Sequence, residues 1–160
     1  MSTTLHTGRP HDFDFLVGHW HVINRKLKQR HTGCTEWREF EATHRAWSHL
    51  GGLVSVDEMV CPSEGFSGCS VRTLDLATRQ WAIYWIDSRT GTLFPPVHGG
   101  WQGERGEFYG DDEDEGRAVK VRFTWQRLGD DEARWEQAFS LDGGVEWETN
   151  WVMAFRRAGA

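Results

Sequence analysis

The sequence predicts an all-β domain: an antiparallel up-and-down barrel of about ten strands, preceded by a short helical turn. Three observations predict it. Helical periodicity is nearly absent beyond Gly18, where strict two-residue alternation takes over. Turn residues interrupt that alternation at short intervals and leave no room for crossover helices, so consecutive strands must pair antiparallel. The aromatic residues, ten Trp and nine Phe against two Tyr, fall mainly on one parity of the strands.

The elements follow in order. Residues 1–10 read as a flexible polar tail without the apolar stretch of a signal peptide, and residues 11–157 as the single domain. Phe13 to Val17 is the helical turn, closed by Gly18. His19 to Gln29 is the first strand, and Thr35 to Trp47 the second. Leu53 to Val60 is the third, set off by Gly51-Gly52 and ended by Pro62. Ser67 to Leu74 and Gln80 to Asp87 form a hairpin around Asp75-Leu76-Ala77-Thr78. Ser88 to Gly100, holding Pro95-Pro96, reads as a loop over one barrel end, since a proline pair does not sit in a central strand. Trp101 to Gln102 and Glu107 to Tyr109 are two short strands, and the acidic run 111–115 is a solvated loop. Ala118 to Leu128, Ala133 to Leu141 and Val145 to Arg156 finish the barrel. Ser140-Leu141-Asp142-Gly143-Gly144-Val145-Glu146-Trp147 resembles the Asp-box of sialidase propellers. One copy implies a tied hairpin and no glycosidase.

Parity assigns the inner face. Trp20, Val22 and Asn24 point inward on the first strand, and Phe40, Ala42, His44 and Ala46 on the second. On the third, the set with Ser55, Asp57 and Met59 competes with the set Val54, Val56, Glu58 and Val60. Trp81, Ile83, Trp85 and Asp87 face in, as do Val119, Val121, Phe123 and Trp125. So do Trp135, Gln137 and Phe139, followed by Trp147, Thr149, Trp151, Met153 and Phe155. A charged belt of Glu58, Arg72, Arg122, Glu136 and Asn150 falls mostly outside. With parity inverted it would line an anion-binding pocket.

Composition excludes several classes. The formal net charge of −6 opposes nucleic-acid binding, and the cluster Arg25, Lys26, Lys28 and Arg30 reads as a solvated edge. No apolar run reaches the ~20 residues of a membrane-spanning helix. Three cysteines without paired spacing point to reduced thiols and a cytoplasmic protein. His19 and His21 share an outward face with no evident third metal ligand, so no metal is expected.

Phe13-Asp14-Phe15-Leu16-Val17-Gly18-His19-Trp20 ends in a G-x-W that resembles the opening of lipocalins and other calycins. The resemblance implies that Trp20 plugs one barrel end, with a late basic residue, Arg156 or Arg157, packed on it. Trp81 to Ser88, Val121 to Trp125, and Trp135 to Ser140 through Trp147 to Trp151 resemble a bacterial calycin-like family without an assigned activity, over residues 11–157. Nitrobindins, the related ten-stranded haem barrels, hold iron by a late histidine. Here the last histidine is His98 and the final three strands have none, so no cofactor is implied, with His44 and His98 the remaining haem candidates.

A barrel of ten strands is wider than its own side chains fill. The expected function is therefore binding of a small hydrophobic or aromatic molecule by Trp20, Asn24, Asp57, Trp85, Phe123, Gln137 and Trp151. Two other readings stay open: a small-metabolite enzyme (isomerase, cyclase, dehydratase or hydrolase) with Asp87 and His44 in acid–base roles, and a structural domain with a filled core. The expected state is a monomer or homodimer without nucleic-acid or membrane partners.

Overall fold

The computed structural model describes residues 6–159. Ten antiparallel strands close into one barrel: β1 (Gly18–Leu27), β2 (Trp37–His49), β3 (Val54–Cys61), β4 (Phe66–Asp75), β5 (Gln80–Asp87), β6 (Val97–Gln102), β7 (Arg105–Asp114), β8 (Arg117–Arg127), β9 (Glu132–Ser140) and β10 (Glu148–Arg157). Each strand pairs with its neighbours in sequence, and β1 closes on β10 through Trp20 opposite Arg157. The architecture is compatible with a calycin-like fold, and closure pairs every strand on both sides, β5 with β6 only through Trp81, Ala82 and Ile83.

A short 3-10 turn (Asp14–Leu16) caps one end. Phe13 and Leu16 are buried there, Phe13 with its ring edge-on to Trp81 at 4.9 Å and to Trp101 at 5.4 Å. Trp20 Nε1–H donates to the Leu16 carbonyl (2.8 Å), and the Arg157 guanidinium lies 4.2 Å from the Trp20 ring centre. Arg157 also donates to the carbonyls of Phe15 and Val17 at 2.9 Å, which ties the turn to the last strand. Gly18 has φ +115°, and a Cβ there would press on the Arg157 guanidinium, which accounts for glycine at the head of G-x-W.

Several expectations are corrected. The acidic run is mostly strand, since Asp111 to Asp114 pair with Lys120 to Arg117 and extend β7. The loop expected to reach Gly100 ends where β6 begins at Val97, so Pro95 and Pro96 stay outside the ladder. Trp147 precedes β10 and lies against Tyr109 and Arg122, away from the interior. The cause is a bulge in β10: Thr149 and Trp151 face the adjacent residues Ala138 and Gln137, so Asn150 is the extra residue. The tied hairpin does form. Asp142 Oδ1 accepts the N–H groups of Val145 and Glu146 and the Ser140 hydroxyl, and Trp147 Nε1–H donates to the Gly144 carbonyl.

Residues 1–5 of the expected tail lie outside the described residues. Thr7 bridges to Trp101, and the Gly8 N–H donates to the Arg79 carbonyl. No helix among the described residues is long and apolar enough to cross a membrane. Cys34, Cys61 and Cys69 are free thiols.

Candidate functional site

The barrel encloses a cavity of about 250 Å³ that runs from a polar floor above the 3-10 turn to a charged rim at the other end. Its walls are aromatic and aliphatic. Phe123, Trp125 and Trp135 come from β8 and β9, Trp151, Met153 and Phe155 from β10, and Ile83 and Trp85 from β5. The rings meet edge to face: Phe123 with Trp135 at 5.0 Å, Trp135 with Trp151 at 5.5 Å, Trp85 with Trp151 at 6.2 Å. Such contacts hold the walls in place without filling the space between them. Gly68 makes room for this arrangement, because a Cβ there would collide with the Trp85 indole.

The floor is an ionic cluster within an aromatic shell. Asp57 on β3 is 3% exposed and Arg72 on β4 is 2% exposed. Arg72 Nη2–H donates to Asp57 Oδ2 and Nη1–H to the Ser55 hydroxyl (3.0 Å), while the Ser70 N–H donates to Asp57 Oδ1 (2.9 Å). His44 on β2 shares Asp57 Oδ2 through its Nε2 at 3.0 Å. The guanidinium lies 5.0 Å from the ring centre of Phe13 and 5.6 Å from that of Trp125. Burial works to raise the Asp57 carboxyl, but Arg72 and His44 outweigh it and hold the group well below the usual carboxylate range. The ambiguity on β3 is thereby resolved toward the face with Ser55, Asp57 and Met59.

Arg72 was expected outside and is inside. The β4 residues that face in are Phe66, Gly68, Ser70, Arg72 and Leu74, and Cys69, Val71 and Thr73 face out. On this strand the inner parity is the more polar one, because it supplies the floor cluster. Asn150 is also internal through the β10 bulge, and its Oδ1 accepts from Gln137 Nε2 at 2.8 Å. Glu58 is exposed, and Arg122 lies against Trp147 away from the cavity.

The rim carries Lys26, Arg30, Asp87, Arg89, Phe94, Pro95 and Asp111 to Asp114. Asp87 Oδ1 accepts the Arg89 N–H, and the Arg89 guanidinium clasps both carboxylate oxygens at 2.9 and 2.7 Å. Those hydrogen bonds hold Asp87 below the ordinary carboxylate range. Asp114 is held low in the same way by Arg30. The basic cluster on β1 is therefore not a uniform solvated edge: Arg25 and Lys28 are exposed, while Lys26 and Arg30 line the cavity.

Of the residues expected to form the site, His44, Asp57, Trp85, Asp87, Phe123, Gln137 and Trp151 line this one cavity. Trp20 belongs to the cap below it. Asn24 lies behind the wall, fully buried, with its Oδ1 accepting from Trp151 Nε1 at 2.9 Å. The cavity residues not anticipated include Lys26, Arg30, Ser70, Arg72, Arg89 and Asn150, with Asp111 to Asp114 at the rim. Lys26 was legible, since it continues the inward series Trp20, Val22, Asn24.

Of the two remaining haem candidates, His98 is exposed on β6 and lies outside the cavity, while His44 lines it with Nε2 on Asp57 and with Nδ1 lacking a hydrogen-bond partner among the described residues. His19 and His21 are both exposed on β1, and among the described residues no group of three or more His, Cys, Asp or Glu is placed to hold a metal. No protein-family model matches the sequence, and no match is found among curated proteins.

Proposed function

We propose that this barrel binds a small hydrophobic or aromatic molecule in its tryptophan-lined cavity. The observation that carries the reading is the 250 Å³ space walled by Phe123, Trp135, Trp151 and Trp85, with polar groups at the floor, at the rim and in the Gln137–Asn150 pair. Apolar walls with a few placed polar groups are the usual make-up of a small-molecule pocket, and a filled structural core would leave no such space. The G-x-W cap with Arg157 on Trp20 supports a calycin-like barrel, closed at that end and entered from the other. Three free thiols support a reducing, cytoplasmic setting, and a cavity built by one chain suits a monomer or a homodimer alike. Calorimetric titration with neutral 1-naphthaleneacetamide tests the reading. Binding is expected in the wild type and abolished by Val121→Trp, which fills the lining. Failure of the wild type to bind either the amide or 1-naphthaleneacetic acid, or equal binding in the folded variant, would overturn it.

A second reading, acid–base conversion of a metabolite, is favoured by one observation: His44 lines the cavity and is oriented by a buried carboxylate, Asp57. In this reading His44 carries the proton and Asp87, at the rim, acts with it. Incubation with a metabolite extract, followed by mass spectrometry, separates the two. A mass change removed by both His44→Gln and Asp87→Asn supports turnover. No change, or one that survives both variants, leaves binding alone.

A further inference from the structure

The rim of the cavity holds three cations, and two of them already have counter-ions. Arg30 donates to both oxygens of Asp114 at 2.7 Å, and Arg89 clasps Asp87. Lys26 is the third. It faces inward on β1 opposite Trp151, with its Nζ 4.1 Å from the Trp151 ring centre and 5.9 Å from that of Phe66. Among the described residues it has no carboxylate partner and no hydrogen bond, although it lines the cavity.

An ammonium has three N–H donors, and aromatic faces offer it attraction without an acceptor. A half-buried, uncompensated cation is unfavourable on its own and strongly favours a bound anion. The cavity reading thus acquires a polarity: aromatic walls end at a single unpaired positive charge. Resting on that reading, we infer that Lys26 is the counter-ion for the ligand, and that the cavity takes aromatic or apolar carboxylic acids with the ring system against Phe123, Trp135 and Trp151. Asp112 and Glu113 on β7 also line the rim, and their repulsion grows with the charge of the ligand, so a monoanion is favoured over a dianion such as a phosphate. The arrangement is that of an amphipathic ligand lying along the barrel axis, carboxylate outward.

The experiment compares 1-naphthaleneacetic acid with 1-naphthaleneacetamide, nearly isosteric and differing in charge, by calorimetry at neutral pH. The wild type is expected to bind the acid about tenfold more tightly than the amide, a difference typical of one well-placed charge. Lys26→Met is expected to bring the two within about threefold of each other, the acid losing more affinity than the amide, and Lys26→Arg to keep the preference for the acid. Equal binding of acid and amide by the wild type, or a preference that survives Lys26→Met, overturns the role of Lys26 and leaves the cavity reading intact. Failure of both probes to bind the wild type overturns the cavity reading itself, and the role of Lys26 with it.

Discussion

Asp57 should be a position at which a single truncation costs the barrel heavily. Its carboxylate is the only acidic partner that Arg72 has among the described residues, and Arg72 is 2% exposed between the rings of Phe13 and Trp125. Asp57→Ala leaves that guanidinium buried with the Ser55 hydroxyl alone and also orphans the Ser70 N–H. Breaking one side of a buried ion pair costs about 3–5 kcal/mol, because a charge remains in a poor solvent. For a domain of this size that lowers the midpoint of thermal unfolding by roughly 6–20 °C. Removing the second charge as well, in Asp57→Ala with Arg72→Met, should restore a large part of the loss, since an apolar replacement no longer strands a cation. Urea and thermal unfolding followed by tryptophan fluorescence and circular dichroism measure both variants. A loss below about 1 kcal/mol in the single variant would refute the reasoning, as would a double variant no more stable than the single one.

The same group predicts a pH dependence. Arg72 and His44 hold the Asp57 carboxyl below its unfolded value, so the stability it contributes is present above about pH 4 and is lost as pH falls further toward its depressed folded value. Wild type should therefore lose stability more steeply below about pH 4 than Asp57→Ala does, and parallel acid profiles would contradict this. Gly68→Ala should drive the Trp85 indole from its place on the inner wall, with a cost of about 1–3 kcal/mol and weaker binding of 1-naphthaleneacetamide; unfolding and calorimetric titrations read the two effects. Arg157→Ala removes the guanidinium from Trp20 and three carbonyls, so a loss of about 1–3 kcal/mol is expected, with faster amide exchange in the 3-10 turn before any change at the rim. Burial, with Arg89 and Arg30 nearby, lowers the Lys26 pKa, and Asp87 and Cys61 partly oppose this. The preference for a carboxylic acid should then fade as pH rises toward the ordinary lysine value near 10.4, while amide binding stays flat.

Much of the fold was legible because local chemistry determines it. Alternating apolar residues, turn signals and the absence of a helical period require antiparallel strands, and β5 runs from Gln80 to Asp87 as read. The turn at Ser140 to Glu146 was legible too, since its hydrogen bonds join residues within a few positions of one another. The G-x-W resemblance implied a plug at Trp20, and the 3-10 turn packs there, with Trp20 donating to the Leu16 carbonyl.

The floor of the site was not legible, for two physical reasons. Parity is read from the apolar residues, and on β4 the inner face carries Ser70 and Arg72 because their partners, Ser55 and Asp57, come from the next strand. A charge is tolerable inside only with its counter-ion, and pairing across strands is a property of register. The bulge at Asn150 shifts parity near the start of β10, which sends Trp147 outward and brings Asn150 to Gln137, and no local residue pattern announced it. The sequence alone determined that an aromatic-rich antiparallel barrel forms. Which charges are paired, which one is left over at the rim, and how much space the rings leave between them were decided only by closing ten strands into a ring, because closure alone fixes the neighbours of each inward side chain.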